Sequence, residues 1–228
     1  MPRIVENKIP HIITGEMKKF IFRSELWVTQ FTGIRVDTLH DFQRAILDVD
    51  DDTLYYHLFR NMFDYHFLIP TYSNSFAYWF SENGLFILAE RFSIIDPLVY
   101  TSLDDVRREI IGILADAGEE RRRFKTPFYF RRAVRDVVEL GMEARDIGSF
   151  VAGFESSGIY SLFYHLVTAR LRLGEPTNDY SKWLRTVGQE KIAGRIEALN
   201  PWMFNFYDIK RFILDIIRSG SAQPYGTC

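Results

Sequence analysis

Two histidines stand in closely similar phrases, TLYYHLF (53–59) and SLFYHLV (161–167). Imidazole titrates near neutral pH, so His57 and His165 could form an acid–base or ligand-binding pair. They could equally be core histidines, hydrogen-bonded as buried polar groups must be. Their recurrence in both phrases favours a role built into the fold. Arg170 and Arg172 could hold a phosphate or carboxylate bidentately, with Arg23 and Arg131 adding charge, or could bridge to acids and bury their stems. Asn178, like Asn74, sits where a helix N-cap belongs. Trp183, like Trp79, reads as core, although an aromatic ring beside an arginine is how a sugar phosphate would be held. His57, His165, Arg170, Arg172, Asn178 and Trp183 are therefore the candidate ligand-binding residues. No catalytic residue is assigned.

A metal site is the sharper enzymatic idea, and the spacing argues against it. His57, Arg60 and Asp64 run down one helical face with His66 nearby, but Thr168 and Arg172 stand at the matching places 108 residues on. A cation there would repel a metal. Glu-x-x-His pairs and His-Glu-x-x-His are absent, as are a Gly-x-Gly-x-x-Gly turn, a Walker loop and a Gly-x-Ser-x-Gly elbow. No metal and no cofactor are expected. GFESSG (153–158) lacks the spacing of a nucleophile turn, and Ser156 or Ser157 is expected to cap the helix that carries SLFYHLV.

The likeness of the two phrases extends outward. At an offset of 108, Phe22-Arg23 matches Phe130-Arg131, Gly33 matches Gly141 and Phe42 matches Phe150. Beyond the histidine the offset becomes 104, and NSFAYWF (74–80) lies over NDYSKWL (178–184), with Gly84 over Gly188 and Asp96-Pro97 over Asn200-Pro201. This reads as an internal duplication. The expected organisation is a leader (1–19), a first helical unit (20–117), a polar linker (118–126), a second helical unit (127–219) and a tail (220–228). The expected fold is mainly α, with two related helical units packed together and short strands at the start of each. FIFRSELWVTQF alternates partly as a strand does, while FYFRRAVRDVVEL suits strand or helix. Asp37 is the expected cap of the helix carrying Leu39, Phe42 and Ile46. Ser102 with Asp105 resembles a capping box, and Gly118 is the expected stop.

Composition bounds the rest. Of 228 residues, 47% are hydrophobic and 16% aromatic, ample for a core, and the net charge of −2 shows no nucleic-acid footprint. The one cysteine, Cys228, excludes an internal disulfide framework and suits a reducing compartment. No apolar run approaches the roughly 20 residues that span a bilayer, and the N-terminus lacks a signal-peptide core. A cytoplasmic protein that contacts neither membrane nor nucleic acid is expected.

His165, Arg170, Arg172, Asn178, Asp179, Tyr180, Ser181 and Trp183 together give the segment FYHLVTARLRLGEPTNDYSKWL. It resembles an uncharacterised family of bacterial and archaeal proteins classed only as a domain of unknown function. Met62 and Asp64 replace the arginine pair in the first unit, so the resemblance is sharpest in the second. It implies a loose link to carbohydrate metabolism, since such proteins sometimes occur beside glycosyltransferases or trehalose-synthesis enzymes. It brings no catalytic residues. The expected function is a non-enzymatic interaction or regulatory module with a protein partner or self-association. The alternatives are an enzyme or sensor for a small phosphorylated or carboxylated ligand in the groove between the units, and a structural homo-oligomer.

Overall fold

A computed structural model of the chain describes residues 19–64, 72–118 and 121–221. Most of the expected leader, most of the tail with Cys228, and His66 lie outside the described residues.

Two long strands organise the molecule. Strand β1 (Phe20–Val36) and strand β2 (Phe128–Ala144) each run 17 residues and pair antiparallel, from Phe20 opposite Ala144 to Val36 opposite Phe128. The register breaks between Ile21 and Arg23 and again between Phe31 and Arg35. A glycine with left-handed backbone sits at each break, Gly141 at φ 70° and Gly33 at φ 81°. That conformation is open to glycine and strained for other residues, so these glycines allow the ribbon to bulge and twist.

Helices follow each strand. After β1 come α1 (Leu39–Asp48), α2 (Asp51–Asp64), α3 (Ser75–Glu82), α4 (Phe86–Ser93) and α5 (Leu103–Asp116). After β2 come α6 (Ile147–Ser156), α7 (Ile159–Leu162), a π-helical turn (Phe163–Val167), α8 (Ala169–Leu173), α9 (Asp179–Thr186), α10 (Glu190–Glu197) and α11 (Phe206–Ser221). Several ends form as the residue types dictate. Asn74 and Asn178 accept the backbone N–H of Ala77 and Ser181, and Ser102 accepts that of Asp105. Two expected caps are corrected. Thr38, whose hydroxyl accepts the Asp41 N–H at 3.0 Å, caps α1 in place of Asp37. Gly158 precedes α7, while the Ser156 and Ser157 hydroxyls donate back to the Ala152 and Phe154 carbonyls of α6.

Each strand packs chiefly on the helices that follow the other. The Phe20 ring lies 5.3 Å from Phe150, 5.5 Å from Tyr180 and 5.9 Å from Trp183. Phe22 is fully buried and sits so close to Gly153 of α6 that a Cβ there would stand 2.3 Å from the ring. In the other direction, Phe128 lies 5.8 Å from Phe42, 5.5 Å from Phe76 and 5.4 Å from Trp79. Phe130 stacks on Phe42 at 5.7 Å.

This arrangement overturns the expectation of two related helical units packed together with short strands at their starts. Helix predominates, but the strands are long, pair with each other and are exchanged, so a shared sheet forms the centre. The physical reason lies in the apolar faces. Phe20 and Phe22 must be buried, and the helical surface that accepts them belongs to residues 147–184. The chain between α5 and β2 is also docked where described. The Phe124 N–H donates to the Asp37 carbonyl at 2.7 Å, and Trp79 Nε1 donates to the Thr126 carbonyl at 2.7 Å.

Candidate functional site

His165 lies in the π-helical turn, where the Thr168 N–H reaches back to the Phe163 carbonyl at 3.1 Å. Such turns insert one extra residue and re-aim the side chains around them. The His165 Nε2 accepts the backbone N–H of Arg23 at 2.8 Å. With Nε2 acting as acceptor, the ring proton is on Nδ1 and is donated to Asp179 Oδ2 at 2.7 Å. Arg172 holds the same carboxylate from the other side, at 2.6 Å and 3.3 Å, and lays its guanidinium over the Tyr164 ring at 4.3 Å.

The electrostatics follow from burial. Burial pushes the His165 pKa down against the pull of Asp179, so the imidazole stays neutral. Burial alone would raise the Asp179 carboxyl. Hydrogen bonds from His165 and Arg172 outweigh it and hold the carboxyl below its usual value. His57 is placed alike on one side, its Nε2 accepting the Arg131 N–H at 3.0 Å. Burial, with the nearby Arg131 charge, lowers its pKa to about 3.

The six candidate residues do not converge on one place. His165 and Arg172 meet through Asp179, and Trp183 lines the same cleft of about 300 Å³. Trp183 is nevertheless 5% exposed and stacks on Phe150 at 4.8 Å, as a core ring does. Asn178 is a buried cap. Arg170 is separated from Arg172 and lies in the field of Asp96 and Glu197, with burial lowering its pKa. Residues at i and i+2 of a helix face different directions, so the two guanidiniums cannot grip one anion together. His57 belongs to a different cleft.

A further cleft, of about 580 Å³, lies where β1 and β2 meet α2 and α8, and of the six candidate residues only Arg172 is in its described lining. Glu25 of β1 is 3% exposed, and its Oε1 accepts from the Tyr55 hydroxyl at 2.6 Å and Trp27 Nε1 at 2.7 Å. Arg135 of β2 lies over the Tyr55 ring at 4.2 Å and is tied to Asp52 at 2.6 Å. Arg172 lines the cleft as well, with Tyr164 beneath it and Thr168 beside it. Two guanidiniums, each over a tyrosine ring and each pinned by an aspartate, thus share a cleft with a buried carboxylate. The signal in the sequence was Glu25 itself, an acid amid Leu26, Trp27 and Val28, where a strand residue facing inward must find partners.

Among the described residues no group of three or more His, Cys, Asp and Glu could hold a metal ion. No helix there is long and apolar enough to cross a membrane.

The fold and site define a mainly helical protein built on an exchanged two-stranded ribbon, with neutral histidines clamping each strand and a preorganised arginine–tyrosine cleft at the centre. The chain belongs to the Family of unknown function (DUF5752), whose model matches residues 17–218. It is similar to the solved structure of OrfY from Thermoproteus tenax, with 28% identity, a TM-score of 0.77, and coverage of 90% of this chain and 96% of that one. No curated protein matches the chain.

Proposed function

We propose that the protein is a non-enzymatic binding module of the cytoplasm whose central cleft takes a small polyhydroxylated molecule bearing one anionic group, such as a sugar phosphate. The observation that supports this reading is the matched pair of Arg135 on Tyr55 and Arg172 on Tyr164, flanking Glu25. Guanidiniums that lie over rings and are held by Asp52 and Asp179 are ordered in advance, so little side-chain entropy remains to be lost on binding. The arginines suit the anionic group, and Glu25, Asp51, Asp52 and Asp104 suit hydroxyl donors. Catalysis is not part of this reading, because the imidazoles use Nε2 to accept a backbone N–H and are buried in their neutral form. A link to carbohydrate metabolism accords with such a ligand.

The test is thermal denaturation with glucose 6-phosphate against glucose and inorganic phosphate. Ligand at 100 times Kd adds about 2.7 kcal/mol of apparent stability. Wild type is expected to respond to the sugar phosphate more than to either fragment, and Arg135→Gln to fold but lose the response. An equal response in Arg135→Gln would refute the reading.

A second reading, partner binding or self-association, is favoured by the outer face of the ribbon. Val28 and Val134 are cross-strand neighbours and are 68% and 44% exposed, with Leu26 and Val138 exposed on the same face. Light scattering of Val28→Lys against wild type tests it, with a loss of mass per particle expected in the variant.

A further inference from the structure

His57 and His165 are held alike at Nε2 and differently at Nδ1. Each Nε2 accepts a strand N–H, from Arg131 and from Arg23, so each ring carries its proton on Nδ1. Opposite His165 that proton meets Asp179. The Nδ1 of His57 has no hydrogen-bond partner among the described residues, although the side chain is only 3% exposed. A buried donor left unpaired is destabilising, so its retention calls for an explanation.

The difference lies in one residue. Asn74 and Asn178 cap α3 and α9 in the same way, and the next residue is Ser75 in α3 but Asp179 in α9. Asp179 supplies the acceptor for its histidine. The Ser75 hydroxyl instead makes a long 3.4 Å contact to the His57 carbonyl oxygen. Beside His57 opens a cleft of about 730 Å³, against about 300 Å³ beside the His165–Asp179 pair. Among the described residues Arg60, Arg131 and Glu82 line it, and its walls carry the rings of Tyr56, Tyr78 and Trp79.

The geometry points to a second binding site, over His57, for a small organic carboxylate with a flat apolar body, whose carboxylate takes the place against His57 that Asp179 holds against His165. The Nδ1 is buried, so the ligand reaches it by displacing a neighbouring side chain. Ser75, at the place of Asp179, is held to the His57 carbonyl oxygen by a weak 3.4 Å contact. The start of α3 favours negative charge there, as the start of α9 favours Asp179. The apolar body lies among the aromatic walls. Among the described residues the lining shares none with the central cleft, so this site stands or falls without it.

The test uses the full chain and 3-phenylpropionate, with 3-phenyl-1-propanol as the uncharged control. Melting temperature and the imidazole ¹⁵N signals of His57 are followed at neutral pH. Wild type is expected to gain melting temperature saturably, with the His57 Nδ1 signal moving, and the alcohol to bind at least about tenfold more weakly, a difference of about 1.4 kcal/mol. Ser75→Asp supplies the carboxylate from the chain. It is expected to melt higher than wild type without ligand and to lose the response, while Ser75→Ala keeps it. No response of wild type at millimolar 3-phenylpropionate, an equal response to the alcohol, or an undiminished response in Ser75→Asp would each overturn the proposal.

Discussion

Arg23 and His165 are 142 positions apart in the chain, yet the backbone N–H of Arg23 donates to His165 Nε2 at 2.8 Å. Arg131 and His57 make the converse bond at 3.0 Å. Each histidine thus fastens the strand that enters from the far segment of the chain, beside the phenylalanines of that strand. The imidazoles act as posts for the ribbon, and everything that lines the clefts is placed relative to them.

Removing a post should be costly. His165→Ala leaves a cavity, an unpaired Arg23 N–H and an Asp179 carboxylate short of one donor. The expected loss is roughly 3–5 kcal/mol, the upper part of the range for buried truncations. Urea denaturation measures it, and a loss below about 1 kcal/mol would show that the bond to Arg23 does not hold the strand.

Acid should loosen the same posts. The His57 pKa is lowered from 6.5 to about 3 by burial, so the unfolded chain takes up a proton first. Its contribution to stability is complete above pH 6.5 and is lost as pH falls from 6.5 towards 3. His165 is shifted in the same direction, again by burial. Asp179, held low by His165 and Arg172, adds a loss only as pH falls below its unfolded value near 3.8. Melting temperature is therefore expected to be flat from pH 8 to 7 and to fall steadily below pH 6. In His57→Gln the decline over pH 6 to 4 should be shallower.

Two glycines test different physics. At Gly33, with φ 81° and nothing within 4 Å of an added Cβ, Gly33→Ala meets only backbone strain, about 1–2 kcal/mol. At Gly153 the backbone is helical, where alanine alone would gain about 1 kcal/mol. The Phe22 ring at 2.3 Å reverses that sign. Overpacking costs up to about 3 kcal/mol, so Gly153→Ala is expected to destabilise by roughly 1–2 kcal/mol net. Equilibrium unfolding of the two variants checks both values, and a stabilised Gly153→Ala would place Phe22 elsewhere.

How much of this was legible in the sequence depends on the range of the interaction. Asn74, Asn178 and Ser102 cap helices because a short polar side chain reaches its own backbone, a local event that four residues reveal. Strand exchange is not local. FIFRSELWVTQF shows that Phe20 and Phe22 need burial but not whose helices receive them. FYFRRAVRDVVEL hid a 17-residue strand because much of β2 is exposed and carries charge on both faces, which blurs the alternation. Among the site residues, the histidines stand out by their setting and Arg172 by its charge. Asp179 carries no chemical signal of its own in the sequence, because its neighbour Asn178 already explains the helix start. Glu25 says little there by itself, because a lone acid in a strand gains meaning only when Tyr55 arrives from 30 residues away.

The exchange of strands is tested most directly by splitting the chain. Residues 1–120 and 121–228 are expressed apart and together, and circular dichroism and analytical ultracentrifugation follow their assembly. Neither piece is expected to melt cooperatively alone, because each lacks the strand that fills its helices, and the two should combine one to one into a complex with a cooperative melt. A cooperative melt of either piece by itself, with no affinity for the other, would contradict the account.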